Sequence, residues 1–424
     1  MPILLMSRQV NRSNHSMISR WTILCLVCAL LPLLLAMRPV DEKLLMASME
    51  GNLNQVKTLI EEGATVQAAN TQGTTALHAA AWNGHRDVIA LLLSKAAPVN
   101  HTTSEGATPL YIAAQNGHPE VAALLLNSGA AVNQATKTGV TPLLIAAQNG
   151  YREVVVLLLR HNADANHAAE DGVTPLFMAA QRGYYGVIEL LLQQGAAVNL
   201  TLADGSTPLF VAAQNGSLET VSLLVDKGAR VNQAMTDGAT PLLVAAQNGH
   251  RAIVGFLLEK GAPVNQAVQN GVTPLHVAAQ NGHRDIVALL LKQKAVINQQ
   301  ARNRATPLFL AVQNSHRDVV ALLLEQGALV NQPTPDGATP LHIATAAGDR
   351  EMATLLLKKG ATINAQTADG KTPLHLAAYH GNREMVTLLL KHGGDKKAKT
   401  QSGERPIDLA RHQGHKAILP LLKP

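Results

Sequence analysis

Within residues 273–291, TPLHVAAQNGHRDIVALLL, a hydroxyl (Thr273), two imidazoles (His276, His283) and a carboxylate (Asp285) stand within thirteen positions. A hydroxyl, an imidazole and a carboxylate are the parts of a nucleophilic triad, and imidazoles with a carboxylate can also ligate a divalent metal. Either chemistry requires residue types that cannot be exchanged. His276 shares its place in a recurring frame with His78, His342 and His375, but Tyr111, Phe177, Phe210 and Phe309 fill the same place elsewhere. A phenyl ring neither takes a proton nor binds a metal, so these histidines are expected to pack and to hydrogen-bond the Thr three positions earlier. His85, His118, His250, His283, His316 and His415 share a second place with Tyr151, Tyr184 and Ser217, and read as turn residues. The cluster is one copy of a structural unit, and no catalytic, cofactor or metal residues are expected.

The elements that carry it repeat without insertion. Thr-Pro-Leu recurs every 33 residues from Thr108 to Thr372, with TAL at Thr75 and RPI at Arg405 in the same register. The stretch LLMASMEGNLNQVKTLIEEGA fits the frame without a Thr-Pro start, so about twelve units fill residues 41–424. Within them, 41–73 reads as an N-terminal cap, 74–399 as ten full repeats and 400–424 as a C-terminal cap, with no room for a separate catalytic domain. Thr caps a first helix and Pro at its first position gives up no needed hydrogen bond. The second helix is expected to start near Arg284-Asp285, with Ile286 to Leu291 supplying its buried side. Helices this short survive only when stacked on neighbours.

Composition agrees with thin helical layers. The chain of 424 residues is 47% hydrophobic, 15% charged and only 3% aromatic, so its core is built from Ala, Leu, Val and Ile. Net charge is +6, with +4 in residues 1–40 and +5 over 382–424, so the stretch between is −3 and a nucleic-acid partner is disfavoured there. Cys25 and Cys28 both lie in the apolar run WTILCLVCALLPLLLAM, Trp21–Met37, and leave no disulfide framework to the rest. Arg8, Arg12 and Arg20 precede this run and Arg38, Asp41 and Glu42 follow it. Residues 1–40 therefore read as a basic N-terminus with a hydrophobic signal or transmembrane helix, and initiation at Met17 would favour the cleavable form. Membrane attachment through residues 21–37 if uncleaved, or export, is expected ahead of a cytoplasmic location.

The stretch DGATPLLVAAQNGHRAIVGFLLEKGAPVNQ, residues 237–266, resembles the ankyrin repeat almost word for word, and the resemblance extends over 41–424. It implies an all-α solenoid of stacked helix-turn-helix repeats, with β-turn or hairpin fingers projecting to line a concave groove that binds another protein. By the same resemblance, partner-binding positions are the finger residues Glu105, Lys137, Asp171, Asp204, Asp237, Asp336 and Asp369, and the helix-end residues Gln115, Gln148, Gln181, Gln214, Gln247, Gln280 and Gln313. Trp82 replaces that Gln near one end of the series, and Tyr379-His380 replace Gln-Asn near the other. The repeated Gln fits a groove of amides for polar surface or extended backbone, or simple duplication of one unit. Exposed aromatics there are the expected anchors. Finger acids before Gly also read as turn formers.

The leading expectation is a non-enzymatic protein-interaction scaffold, exported or membrane-attached, without a small-molecule substrate. The alternative is that the basic C-terminal end, with Lys391, Lys396, Lys397 and Lys399, contacts acidic lipid or nucleic acid. One layer is expected to be weak, because Lys294, Arg304 and Ser315 stand where other units have Gly.

Overall fold

The computed structural model describes residues 37–423. Among them are 24 α-helices, a 3₁₀ turn at Lys416–Ile418 and no named strand. The helices cluster into two compact units: one runs to Ala179 and includes Glu189–Ala196, and the other holds Ala180–Ile188 and continues from Ala197. The expected hydrophobic helix, Trp21–Met37, lies outside the described residues except for Met37.

Each full repeat has a leading and a trailing helix, as the Thr-Pro and Arg-Asp signals predict. Except in Ala76–Trp82, the leading helix begins on Pro, as in Pro109–Asn116 of the first unit and Pro274–Gln280 of the second. The Thr before it accepts the backbone N–H three residues on, at 3.1 Å from Tyr111 and 3.2 Å from Phe309, which satisfies a donor that the helix itself leaves free. The trailing helix Arg284–Lys292 buries Ile286, Val287 and Leu290, spaced to share one face. Paired alanines such as Ala113-Ala114 and Ala278-Ala279 are fully buried, which lets leading helices approach closely, and they pack on one another more extensively than trailing helices do. Each buried Leu, Ile or Val contributes about 1.5–3 kcal/mol, available only because the next layer covers it.

Polar groups tie layer to layer. The Asn of the VN stretch donates to a carbonyl 29 residues on and accepts an N–H 31 residues on: Asn100 with Gly129 O at 3.1 Å and Ala131 N at 2.7 Å, and Asn331 with Gly360 O at 3.1 Å and Thr362 N at 2.7 Å. The turn histidines are more than turn residues. His283 Nε2 bonds Gln247 O at 3.0 Å, and its ring lies where a side chain on Gly249 would have to go, 2.8 Å from a Cβ placed there. His118 does the same to Trp82 O at 2.9 Å and to Gly84.

The fingers are tight turns. Thr103 N bonds Ala107 O at 2.9 Å and Val268 N bonds Val272 O at 2.9 Å, and the arms are too short to add a ladder. Of the two expected forms the hairpin is not adopted; the isolated bridge Ala69–Thr75 is its sole trace among the described residues.

At the ends, the unit without Thr-Pro starts with a longer helix, Pro39–Glu50, anchored by Arg38 on Asp41 at 2.7 Å and by Thr65 N on the same carboxylate at 2.7 Å. Arg38 and Asp41 thus belong to the first helix pair as well as flanking the apolar run. Arg411, His412, Gln413 and Lys416 are exposed, as a wettable terminal face requires.

The layer flagged from the sequence is strained. Lys294, Arg304 and Ser315 have φ of +66°, +59° and +60°, so three of the five non-Gly residues with positive φ among the described residues fall within it. Ala96 and Asn162 are the other two. The Gly–His pairing between layers also changes there: after Ser315 the following layer places Asp349 where His would stand. Arg317 crosses to that carboxylate, 2.8 Å from Oδ1, and also pairs with Glu351.

Candidate functional site

The cluster of Thr273, His276, His283 and Asp285 is dispersed into separate structural tasks. Thr273 N lies 3.2 Å from His276 Nδ1, and because a backbone N–H can only donate, Nδ1 is the unprotonated nitrogen. Nε2 then carries the proton and donates to Ala305 O of the next finger at 3.2 Å. His78 repeats this with Thr75 N at 3.3 Å and Ala107 O at 3.1 Å. Burial pushes both imidazoles down to about 4, against the counter-effect of their backbone hydrogen bonds. Both nitrogens of each ring are in use, so neither ring can act as a base or ligand without breaking a helix cap. His283 bonds Gln247 O, and Asp285 accepts Ile286 N at 3.1 Å. Among the described residues no group of three or more His, Cys, Asp or Glu is arranged to hold a metal.

The finger acids are exposed but also close their own turns. Asp171 accepts Val173 N at 3.1 Å, Asp204 accepts Ser206 N at 2.9 Å and Asp237 accepts Ala239 N at 2.8 Å. Asp336 accepts the Thr334 hydroxyl. Asp369 pairs with Lys371 at 2.7 Å, which with the Thr367 hydroxyl draws its carboxyl down to about 2. Glu105 and Lys137 are exposed and have no side-chain partner among the described residues.

Neighbouring fingers are joined by one backbone bond each. In the first unit Lys137 N donates to Glu105 O at 2.9 Å. In the second, Thr236 N reaches Asp204 O at 2.8 Å, Gln269 N reaches Asp237 O at 2.9 Å, Arg302 N reaches Asn270 O at 2.8 Å and Ala368 N reaches Asp336 O at 2.7 Å. The next donor position in the series after Arg302 is Pro335, which has no N–H.

The helix-end glutamines divide by environment. In the first unit Gln115 is half-buried, but Gln148 is only 9% exposed, so it presents little to a partner, contrary to its expected role. The frame alone could not show this, since it makes Gln115 and Gln148 equivalent. In the second unit Gln181 and Gln313 are exposed, and Gln214, Gln247 and Gln280 are half-buried. The main-chain carbonyls of Gln181, Gln214, Gln247 and Gln280 are occupied by the next layer: Gln214 O takes Asn248 at 2.9 Å and His250 at 3.0 Å, and Gln280 O takes His316 at 2.9 Å. None of these side-chain amides bonds another group among the described residues, so each retains donors and an acceptor for a partner.

The aromatic replacements differ from one another. Trp82 is half-buried in the first unit. Tyr379 in the second is 45% exposed, with His380 edge-on at 5.2 Å and its carbonyl held by His415 at 2.9 Å. Ala346 and Ala347 occupy the corresponding helix end one repeat earlier, so the phenol is not matched there by another large side chain. A separate shallow depression in the first unit, lined by Arg86, Glu120, Ala123, Leu124 and Asn127, involves none of these residues.

The family model described as ankyrin repeats (3 copies) matches residues 44–136, 128–202, 176–268, 209–301, 275–367 and 341–423. No curated protein matches the chain.

Proposed function

Because this chain belongs to the ankyrin-repeat family, whose members generally bind other proteins, we propose that it is a non-enzymatic scaffold. Its partner is another protein, held along the fingers and leading-helix ends of each unit. The observation that carries this reading is the division of labour in each layer. Thr, His, Asn and Gly are consumed by caps and inter-layer bonds, whereas the helix-end amides have no task within the fold. Amides so placed suit polar surface or extended backbone. Trp82 and Tyr379 are the anchors, since no cap or turn requires an aromatic there.

The test is a pair of substitutions against the partner recovered by affinity capture. Trp82→Ala is expected to weaken binding about tenfold or more, and Gln214→Ala to change it little. Equal small effects would move the interface away from these helix ends.

The proposal extends to location: the apolar run Trp21–Met37 with its preceding arginines exports the chain or attaches it to a membrane. Among the described residues no helix is long and apolar enough to cross a membrane, so this part rests on the sequence of the first 37 residues. A second reading is a C-terminal electrostatic contact. Lys391, Lys397 and Lys399 are exposed without carboxylate partners, and strong salt dependence of binding to anionic vesicles would favour it.

A further inference from the structure

The finger formed by Ala301–Ala305 differs from every other in the second unit by carrying two cations and no acid. Arg302 and Arg304 are both exposed, and neither guanidinium has a hydrogen-bond or ion-pair partner among the described residues. Nothing in the turn calls for them: it is closed by Asn303, whose Oδ1 accepts Ala305 N at 3.1 Å, and by Arg304 N on Ala301 O at 2.8 Å.

Arg304 is moreover held at φ +59°, where the fingers before and after it use Gly271 and Gly337. The reason for Gly is visible one finger earlier, where a Cβ on Gly271 would lie 3.1 Å from Ala301 Cα and 3.2 Å from Arg302 N of the following finger. A side chain at 304 would crowd the next finger in the same way, and that finger carries Pro335, which cannot donate the inter-finger bond. The layer has given up both a relaxed turn and a backbone bond, and an arginine stands in their place. Strain retained without internal benefit marks a group kept for something outside the fold.

We propose that the Arg302–Arg304 finger is an anion-recognising centre that takes the carboxylates of an acidic, extended segment of a partner protein. This rests on the scaffold reading above and specifies its chemistry. Guanidinium forks match carboxylates in bidentate fashion. The unengaged amides of Gln280 and Gln313, on the leading helices of the preceding and the same layer, suit the backbone of such a segment. Asp336 is exposed on the next finger and repels any polyanion that runs past the arginine pair, so a peptide whose acidic residues are confined to this finger fits better than a nucleic acid.

The experiment uses the full chain and a fluorescein-labelled Glu/Ser peptide, followed by anisotropy. Arg302→Ser with Arg304→Gly is expected to reduce peptide affinity about tenfold, while Lys358→Gln with Lys359→Gln, two exposed lysines on a trailing-helix end, leaves it unchanged. Arg304→Gly alone is expected to weaken the peptide and at the same time raise the melting temperature. An arginine serving the fold would show the opposite sign in melting. Absence of peptide binding, binding indifferent to the arginine pair, or equal arginine-dependent binding of duplex DNA or phosphatidylserine vesicles would each overturn the proposal. A captured partner that is lost with Tyr379→Ala but retained by the double arginine variant would leave the scaffold reading standing and remove this one.

Discussion

The layer between Lys294 and Gln326 should open before its neighbours, and the amount can be worked from its backbone. A residue with a side chain in the left-handed region costs about 1–2 kcal/mol, and replacing it by Gly recovers that less about 0.5–1 kcal/mol of added chain entropy. Each of Lys294, Arg304 and Ser315 therefore weakens the layer by about 0.5–1 kcal/mol relative to Gly. The bond that Pro335 cannot make removes about 1 kcal/mol more. Arg317 on Asp349 and Glu351 works in the other direction, but the arginine is 49% exposed, so screening limits it to about 1 kcal/mol or less. The balance is a layer that opens roughly 2 kcal/mol more easily, which is about thirtyfold faster amide exchange. Hydrogen exchange with mass spectrometry should show this as early labelling of residues 294–316 relative to 261–283. Lys294→Gly with Ser315→Gly should recover half or more of the difference. Equal protection of the two segments in the parent chain, or exchange unchanged in the double variant, would refute the reasoning.

Acid should destabilise the chain above the range where its carboxylates titrate. His78 and His276 are held at about 4 in the folded state against an ordinary value of 6.5, so the unfolded chain binds more protons between those values. Their stabilisation is complete above pH 6.5 and declines as pH falls to about 4, by up to about 1.4 kcal/mol per pH unit for each histidine. Urea titrations over this range test it, and His276→Phe, the residue type at Phe309, should remove one histidine's share of the slope. Asp369 and Asp408, drawn down to about 2, act only at lower pH. For the N-terminus, the full chain is expected to remain with membranes after alkaline carbonate washing if the apolar run is retained, and a chain beginning at Met37 to be released. A full-length form wholly in the soluble cytoplasm would remove both the anchor and the export reading.

The parts of the fold that follow from short-range chemistry were legible in the sequence. Thr-Pro places the start of the leading helix because the cap and the fixed φ of Pro act within three residues. Substitution of Gly by Lys294, Arg304 and Ser315 likewise signals a left-handed site directly. Ala96 and Asn162 stand at the same frame position as Lys294 and also replace Gly, so the frame marks them too, each as a single exception in its layer rather than one of three close together. What was not legible depends on distant partners. His283 reads as a turn residue until its carbonyl, 36 residues back, is in view. The signal was present, since most turn Gly residues are followed by a His in fixed register in the next unit, but only stacking gives it meaning. Gln148 is equivalent to Gln115 in the frame and buried in the structure, because burial is set by neighbouring layers that the frame treats as identical.

Repetition of this kind changes how specificity is to be sought. A layer that donates to the next through Thr, His, Asn and Gly leaves few positions free: the finger tip and the last turn of the leading helix. A Gln at most helix ends offers every layer the same amide, and identical amides cannot by themselves fix the register of a bound segment, since sliding by one repeat exchanges each bond for an equal one. Register must come from the exceptions. In the second unit these are the Arg302–Arg304 finger and the Tyr379 ring, two repeats apart on the frame, one supplying charge and the other apolar area. A segment that satisfied both would lose both on sliding by one repeat, so the amide row would set affinity and the exceptions would set position. Moving the cation pair should then move the bound segment. With Arg302→Gln and Arg304→Gly in place, installing Gln269→Arg one finger earlier should shift cross-links of an acidic peptide by one repeat toward the N-terminus. Cross-links that stay where they were would mean that the arginines do not set the register.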